Sequence, residues 1–163
     1  MSEFPDLPER SQIVQRHLEE AGVSSVIREL PDSTRTANDA AGALGCEVGA
    51  IASSLVFLVG DLPLLVMTSG RHRVDTEFLA ASLGVASLVM APATIVREVT
   101  GQAIGGVAPV GHPAPLRTLV DSALGDYEML WAAGGTPHTV FSLTFEQLVN
   151  VTKGEVTLVT DDG

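Results

Sequence analysis

The sequence has little cysteine, little lysine and few aromatic residues. Cys46 is the single cysteine among 163 residues, so no disulfide bond can form within the chain, and a reducing cytoplasm is the expected setting. Lys153 is the single lysine, and nine basic residues stand against twenty acidic ones, which gives a net charge of −11. A protein with this charge repels nucleic acid at long range, so it would contact only a small part of a nucleic-acid partner.

Long apolar runs are missing as well. No stretch reaches the roughly 20 apolar residues that span a bilayer, and the opening "MSEFPDLPER" has neither the basic nor the apolar region of a signal peptide. We therefore expect a cytoplasmic protein that does not enter a membrane. Apolar residues still make up 45% of the chain, which is enough to form a core. No repeat or linker divides the sequence, so we expect a single domain over 1–163 with an ordered core over about 10–160.

Apolar spacing and end signals predict a mixture of helices and strands. Strands alternate with helices irregularly, which favours an α+β fold over a Rossmann sheet. The plainest feature is "SSLVFLVGDLPLLVMTSG", which predicts a buried hairpin turning at Gly60–Asp61. The predicted helices cover 8–21, 36–44, 75–83, 92–99 and 144–150. The predicted strands, besides the hairpin, cover 24–30, 87–91, 116–120, 127–132, 138–142 and 155–160.

The stretch from Gly101 to Pro113, "GQAIGGVAPVGHP", contains four glycines and two prolines. This density excludes a helix or an ordinary strand. It predicts a rigid loop whose backbone N–H and C=O groups are open to a ligand, as in a preformed oxyanion site. The spacing matches neither a phosphate-binding P-loop nor a dinucleotide fingerprint. A connection that merely happens to be rich in glycine is the alternative.

Histidine and serine suggest further chemistry only weakly. The four histidines lack the short spacing of a zinc motif, so no metal is expected. A hydrolase triad could combine Ser53, Ser54 or Ser69 with His72 and Asp75, but the sequence has no GxSxG elbow.

A second glycine turn occurs in "GGTPHTVF", where His138 opens a predicted strand. This histidine is a candidate site residue. A partly buried imidazole bonded to a backbone carbonyl is the alternative.

Four segments carry a resemblance to a known family. "IASSLVF", "SGRHRVD", "IGGVAPVGHP" and "WAAGGTPHTVFSLTFEQLV" occur in the order and spacing of the YbaK/ProRS-associated editing domains. The resemblance runs from about residue 10 to 160. These domains are aminoacyl-tRNA deacylases related to the editing insertion of bacterial prolyl-tRNA synthetase. The resemblance implies a mixed β-sheet curled toward a barrel and surrounded by helices.

The resemblance also implies an activity. It is hydrolysis of the ester that joins a small, mischarged amino acid to tRNA, often the tRNA for proline, without a metal or other cofactor. The partner would be the aminoacyl-tRNA acceptor end; an aminoacyl-tRNA synthetase partner and an oligomer are left open. Position by position, the catalytic residues would be Ser53, Gly105 and Gly106. The substrate-binding residues would be Val107, Pro109, Gly111, His112, Thr136 and His138.

One departure from the family pattern concerns charge. The family's usual text is "IxKSLVF", with a lysine that helps to hold the acceptor end, whereas this chain has Ser53 there. A serine hydroxyl supplies no positive charge to a phosphate. Arg71 and Arg73 are candidates to supply it. Two hypotheses follow: a trans-editing deacylase, or a catalytically impaired member that binds a small ligand or a protein.

Overall fold

The computed structural model describes residues 7–31, 34 and 36–161. Within them the helices are α1 (Glu9–Glu20), α2 (Ala37–Leu44), α3 (Thr76–Leu83), α4 (Ala93–Thr100) and α5 (Phe145–Thr152). The strands are β1 (Arg28–Glu29), β2 (Ile51–Val59), β3 (Leu62–Ser69), β4 (Val89–Met90), β5 (Arg117–Asp121), β6 (Leu130–Ala133), β7 (Thr139–Leu143) and β8 (Glu155–Thr157). None of the described helices is long and apolar enough to cross a membrane.

These elements confirm the predicted α+β fold. The strands form one mixed sheet in the order β1-β7-β6-β2-β3-β5-β8, and β4 pairs with β2 outside this path. β2 and β3 are antiparallel, whereas β2–β6, β3–β5 and β5–β8 are parallel. β1 and β8 are not paired with each other, so the sheet is open rather than a closed barrel.

The predicted hairpin is confirmed. Val59 pairs with Leu62, and Gly60 has a φ of +62° in the turn between them. Alternate residues of the two strands point to opposite faces, and both faces are covered. Val56 belongs to a core with α1 and α5, whereas Phe57 belongs to a core with α3. This double burial explains why both strands are apolar almost throughout.

The helix starts follow from local capping chemistry. Thr36 and Asp39 form a capping box at α2, and the Asp75 carboxylate accepts a hydrogen bond of 3.0 Å from the Phe78 N–H at α3. Thr144 and Gln147 form a second capping box at α5. The five predicted helices are confirmed to within two residues at each end.

Four predicted strands are too long. The prediction over 87–91 holds only for Val89–Met90. The prediction over 24–30 is wrong for 24–27 and for 30, since β1 is Arg28–Glu29. The buried side chain of Gln15 satisfies the backbone that precedes β1. Its amide donates to the Ser25 carbonyl and its oxygen accepts from the Ile27 N–H, at 2.9 and 2.8 Å. The prediction over 127–132 is wrong for 127–129, since β6 begins at Leu130. The last strand ends at Thr157 rather than at 160.

Candidate active site

A cavity lies where β2 has no neighbour along part of one edge. β3 pairs with β2 on one side over almost its whole length. On the other side β6 pairs only at Ile51 and Ala52, and β4 only at Phe57 and Leu58. The stretch between these pairings lines a cavity of about 310 Å³. Because a strand edge presents backbone as well as side chains, residues from both faces of β2 reach this space.

The walls of the cavity are apolar and mostly small. None of the described lining residues carries a charged or titratable side chain. Hydroxyl groups, the Trp131 indole and backbone are the polar groups that these described residues offer. Ile104 and Met90, which are 55% and 56% exposed, belong to the lining as well. The small residues of the wall are Ala37, Ala40, Ala52, Ala91, Ala132 and Ala133.

Part of the glycine loop forms one wall. Gly105 and Val107 line the cavity, and Gly105 has a φ of +89°, which favours glycine. Among the described residues, no group hydrogen-bonds the backbone N–H of either residue. The Gly106 N–H instead donates to the Ala103 carbonyl at 2.9 Å. Gly105 and Val107 are therefore loop residues at this cavity whose backbone N–H groups have capacity for a ligand.

A buried glutamine holds the rest of the loop. Gln102 is 2% exposed; its oxygen accepts from the Ala108 N–H at 2.7 Å, and its amide donates to the Val110 carbonyl at 3.3 Å. The Thr100 hydroxyl donates to the Gln102 carbonyl at 3.0 Å. Sequence reasoning missed this residue, although a long amide side chain inside a run of glycine and proline could have indicated a clamp.

The glycine loop touches the second glycine turn at Gly106. A Cβ built there would overlap the Thr136 carbonyl carbon and lie 2.6 Å from the Pro137 nitrogen. Only glycine permits this backbone approach. Gly135, in the second turn, has a φ of +109°, and Pro137 lines the cavity. The structure thus brings together the two segments that the sequence paired only by resemblance.

Ser53 lies at the cavity. Among the described residues its hydroxyl has no hydrogen-bond partner, whereas the neighbouring Ser54 hydroxyl donates to the Met67 sulfur at 3.1 Å. Ser53 is therefore the β2 hydroxyl with capacity for a ligand.

The two arginines proposed to supply charge do not line the cavity. Arg71 donates to the Asp126 carboxylate at 2.7 Å and to the Tyr127 hydroxyl at 3.0 Å. These hydrogen bonds, the one with Asp126 foremost, raise the pKa of Arg71. Arg73 is exposed.

Three other members of the conceivable triad, Ser69, His72 and Asp75, have structural partners instead. The His72 imidazole pairs with the buried Asp121 carboxylate at 2.9 Å, not with Asp75. The Ser69 hydroxyl donates to the Gly49 carbonyl at 2.6 Å. None of these groups lines the cavity.

Five remaining candidates lie beside the cavity or behind the loop. The hydroxyls of Thr136 and Thr139 are 2.9 Å apart, and Nδ1 of His138 is buried with no hydrogen-bond partner in the described part of the chain. Pro109 is buried and lines neither cavity. Gly111 lies with His112 in the lining of a second cavity, treated next.

The second cavity, of about 260 Å³, is also lined by His17 and Arg10. The Nε2–H of His112 donates to the Ala108 carbonyl at 2.8 Å. Burial lowers the pKa of His112, and the nearby His17 lowers it further. Across the described residues, no three histidine, cysteine or acidic side chains come close enough to hold a metal ion.

Comparison with known proteins agrees with this geometry. A model of the aminoacyl-tRNA editing domain family matches residues 31–151. A solved structure of a protein proposed to be a trans-editing enzyme for prolyl tRNA synthetase is 41% identical, with a TM-score of 0.88, over 95% of this chain and 99% of that one. The uncharacterized protein YwhH of Bacillus subtilis is 26% identical over 136 residues, which are 83% of this chain and 86% of YwhH.

A proline–tRNA ligase gives a third match. The Leuconostoc mesenteroides enzyme is 30% identical over 92 residues, which are 56% of this chain but 16% of the ligase. The resemblance to editing domains is thereby confirmed. Since the family match spans most of the sequence, the chain belongs to the aminoacyl-tRNA editing domain family.

Proposed function

We propose that this protein is a trans-editing deacylase that hydrolyses the ester of a small amino acid mischarged on tRNA, with the tRNA for proline as the first candidate. The observation that carries the proposal is the cavity of about 310 Å³, whose described lining residues carry no charge and include Gly105 and Val107. Its size is at the lower end of ligand cavities, which suits an aminoacyl ester with its ribose. An aminoacyl-tRNA substrate would also place the protein in the cytoplasm.

The proposed chemistry depends on backbone rather than on a catalytic side chain. When water attacks the ester carbonyl, negative charge develops on the carbonyl oxygen. N–H groups fixed in position stabilise that charge without reorganising. The N–H groups of Gly105 and Val107 are the candidates, because no described group hydrogen-bonds them. The Ser53 hydroxyl would donate to or accept from the substrate beside them.

The lining also supports a choice of substrate. The alanine side chains of the wall leave room for a small amino acid, and no described lining residue offers a carboxylate or a cation that would select a charged one. A cavity of this kind discriminates by size, at about 1–3 kcal/mol per methylene. Alanyl and seryl esters should therefore be better substrates than leucyl or phenylalanyl esters.

The test is ester hydrolysis with alanyl-, cysteinyl- and seryl-tRNA for proline. Wild type should exceed the buffer blank, and its rate should rise steadily with pH without a bell-shaped maximum, since no described lining side chain titrates. Ser53→Lys should raise activity by adding the charge that the family pattern usually has. Ser82→Ala, at an exposed position on α3, is the matched serine control and should behave as wild type.

The outcomes separate the two hypotheses. If wild type is inert but folded Ser53→Lys is active, the protein is a catalytically impaired member whose cavity binds a ligand. If both are inert on every ester, the deacylase proposal is wrong.

A further inference from the structure

The substrate of the proposed function would bring phosphate groups to a cavity that has no cation among its described lining residues. We propose, resting on that function, that Arg28 binds a backbone phosphate of the tRNA acceptor end and takes the place of the cation missing at Ser53. The guanidinium carbon of Arg28 lies 4.8 Å from the centroid of the Trp131 ring. Trp131 itself lines the cavity.

Strand pairing fixes Arg28 beside the cavity. β1 pairs with β7, and Arg28 lies opposite Val140, which lines the cavity. Leu30 follows two residues later and also lines it, and its N–H donates to the His138 carbonyl at 2.7 Å. Residues two apart on extended backbone share a face. The arginine is therefore at the edge of the cavity by register, independently of the ring contact.

Arg28 is available for a ligand, unlike Arg71 and Arg117. Arg71 is paired with Asp126 and Arg117 with Glu155. Among the described residues no carboxylate pairs with exposed Arg28. A guanidinium placed over an aromatic ring can still donate its N–H groups to a phosphate, which it can bind with two parallel hydrogen bonds. The aromatic surface beside it can stack a base.

The single tryptophan of the chain supplies the measurement. The protein would be titrated with the 5′-phosphorylated trinucleotide pCpCpA while Trp131 fluorescence is recorded. A second titration would use adenosine, which has no phosphate. Wild type should bind the trinucleotide. Arg28→Ala should bind it about ten-fold more weakly, because a hydrogen-bonded charge contact is lost, and should bind adenosine unchanged. The slope of log affinity against log salt concentration should become shallower by about 0.7.

Three variants make the test specific. Arg16→Ala removes the same charge from an exposed position on α1 and should behave as wild type. Arg28→Lys keeps the charge without the planar stack and should give intermediate affinity. Arg28→Gln serves as a second uncharged variant if Arg28→Ala fails to fold. In hydrolysis, loss of Arg28 should raise KM for aminoacyl-tRNA and leave kcat close to wild type.

The results distinguish this inference from the proposed function. Binding that needs Arg28, without hydrolysis, would support the phosphate site and count against the deacylase. Unchanged trinucleotide affinity and salt slope in Arg28→Ala would overturn the inference even if wild type hydrolyses esters. Wild type that hydrolyses aminoacyl-tRNA but does not bind the trinucleotide would overturn it too.

Discussion

Replacing Gly106 with alanine should separate the two glycine turns that shape the cavity. The added Cβ would lie 2.6 Å from the Pro137 nitrogen and closer still to the Thr136 carbonyl carbon, so an ordinary contact of 3.4 Å requires the loop and the turn to part by at least about 0.8 Å. Both neighbours are backbone, so no side chain can rotate away. Overpacking of this kind costs about 1–3 kcal/mol of the free energy of unfolding.

The same movement should reduce catalysis. Because Gly106 is flanked by the proposed oxyanion donors Gly105 and Val107, a displacement close to 1 Å should lower ester hydrolysis roughly 10²-fold. The stability of a domain is typically about 5–15 kcal/mol, so the variant should remain folded and measurable. Urea unfolding followed by circular dichroism would give the stability loss, and hydrolysis of alanyl-tRNA the rate.

Gly42→Ala is the matched control. It lies within α2, where an added Cβ would meet no atom within 4 Å. Alanine there should stabilise the protein by about 0.5–1 kcal/mol, because glycine is a poor helix former. If Gly106→Ala matched wild type in both free energy of unfolding and hydrolysis, the contact between the two turns would not have the role argued for it.

Two further predictions concern the back of the glycine loop. Gln102→Met keeps the bulk of the side chain but leaves the Ala108 N–H and Val110 carbonyl without their partner, so urea unfolding should show a loss of about 2–4 kcal/mol. Gln12→Met, which removes one part-buried bond to the Leu7 carbonyl, should lose about 1 kcal/mol, and equal losses would refute the clamp. Burial lowers the pKa of His112 in the folded state. The contribution of this histidine to the free energy of unfolding is therefore complete above the unfolded-state pKa of about 6.5, and it is lost as the pH falls through the folded-state pKa. Wild type should therefore lose more free energy of unfolding between pH 8 and pH 5.5 than His112→Asn does; parallel losses would contradict the assignment.

Local features of the sequence were sufficient to predict most elements and the family. Capping residues such as Thr36 and Asp75 act within one helical turn, so their effect is readable from neighbouring letters. The hairpin at Gly60 was equally local. The predicted extent of the strand over 24–30 was wrong where a distant side chain satisfied the backbone, as Gln15 does for Ser25.

The tertiary structure decided which arginine lies beside the cavity and how β1 pairs with β7. From the sequence, Arg71 was as plausible a source of positive charge as any arginine, because its pairing with Asp126 joins positions 55 residues apart. Arg28 had no local sign of importance; its place follows from a two-residue strand pairing with β7.

The sequence by itself determined the helices, the hairpin, the bare glycine loop and the missing lysine at Ser53, since each depends on residue type and short spacing. Only the tertiary structure decided that β2 lacks a neighbour along part of one edge and that the glycine loop touches the second glycine turn at Gly106. It also decided that the Arg28 guanidinium lies over the ring of Trp131, which lines the cavity. These are contacts between distant segments. Their geometry is fixed by sheet order and packing, which no local pattern of residues encodes.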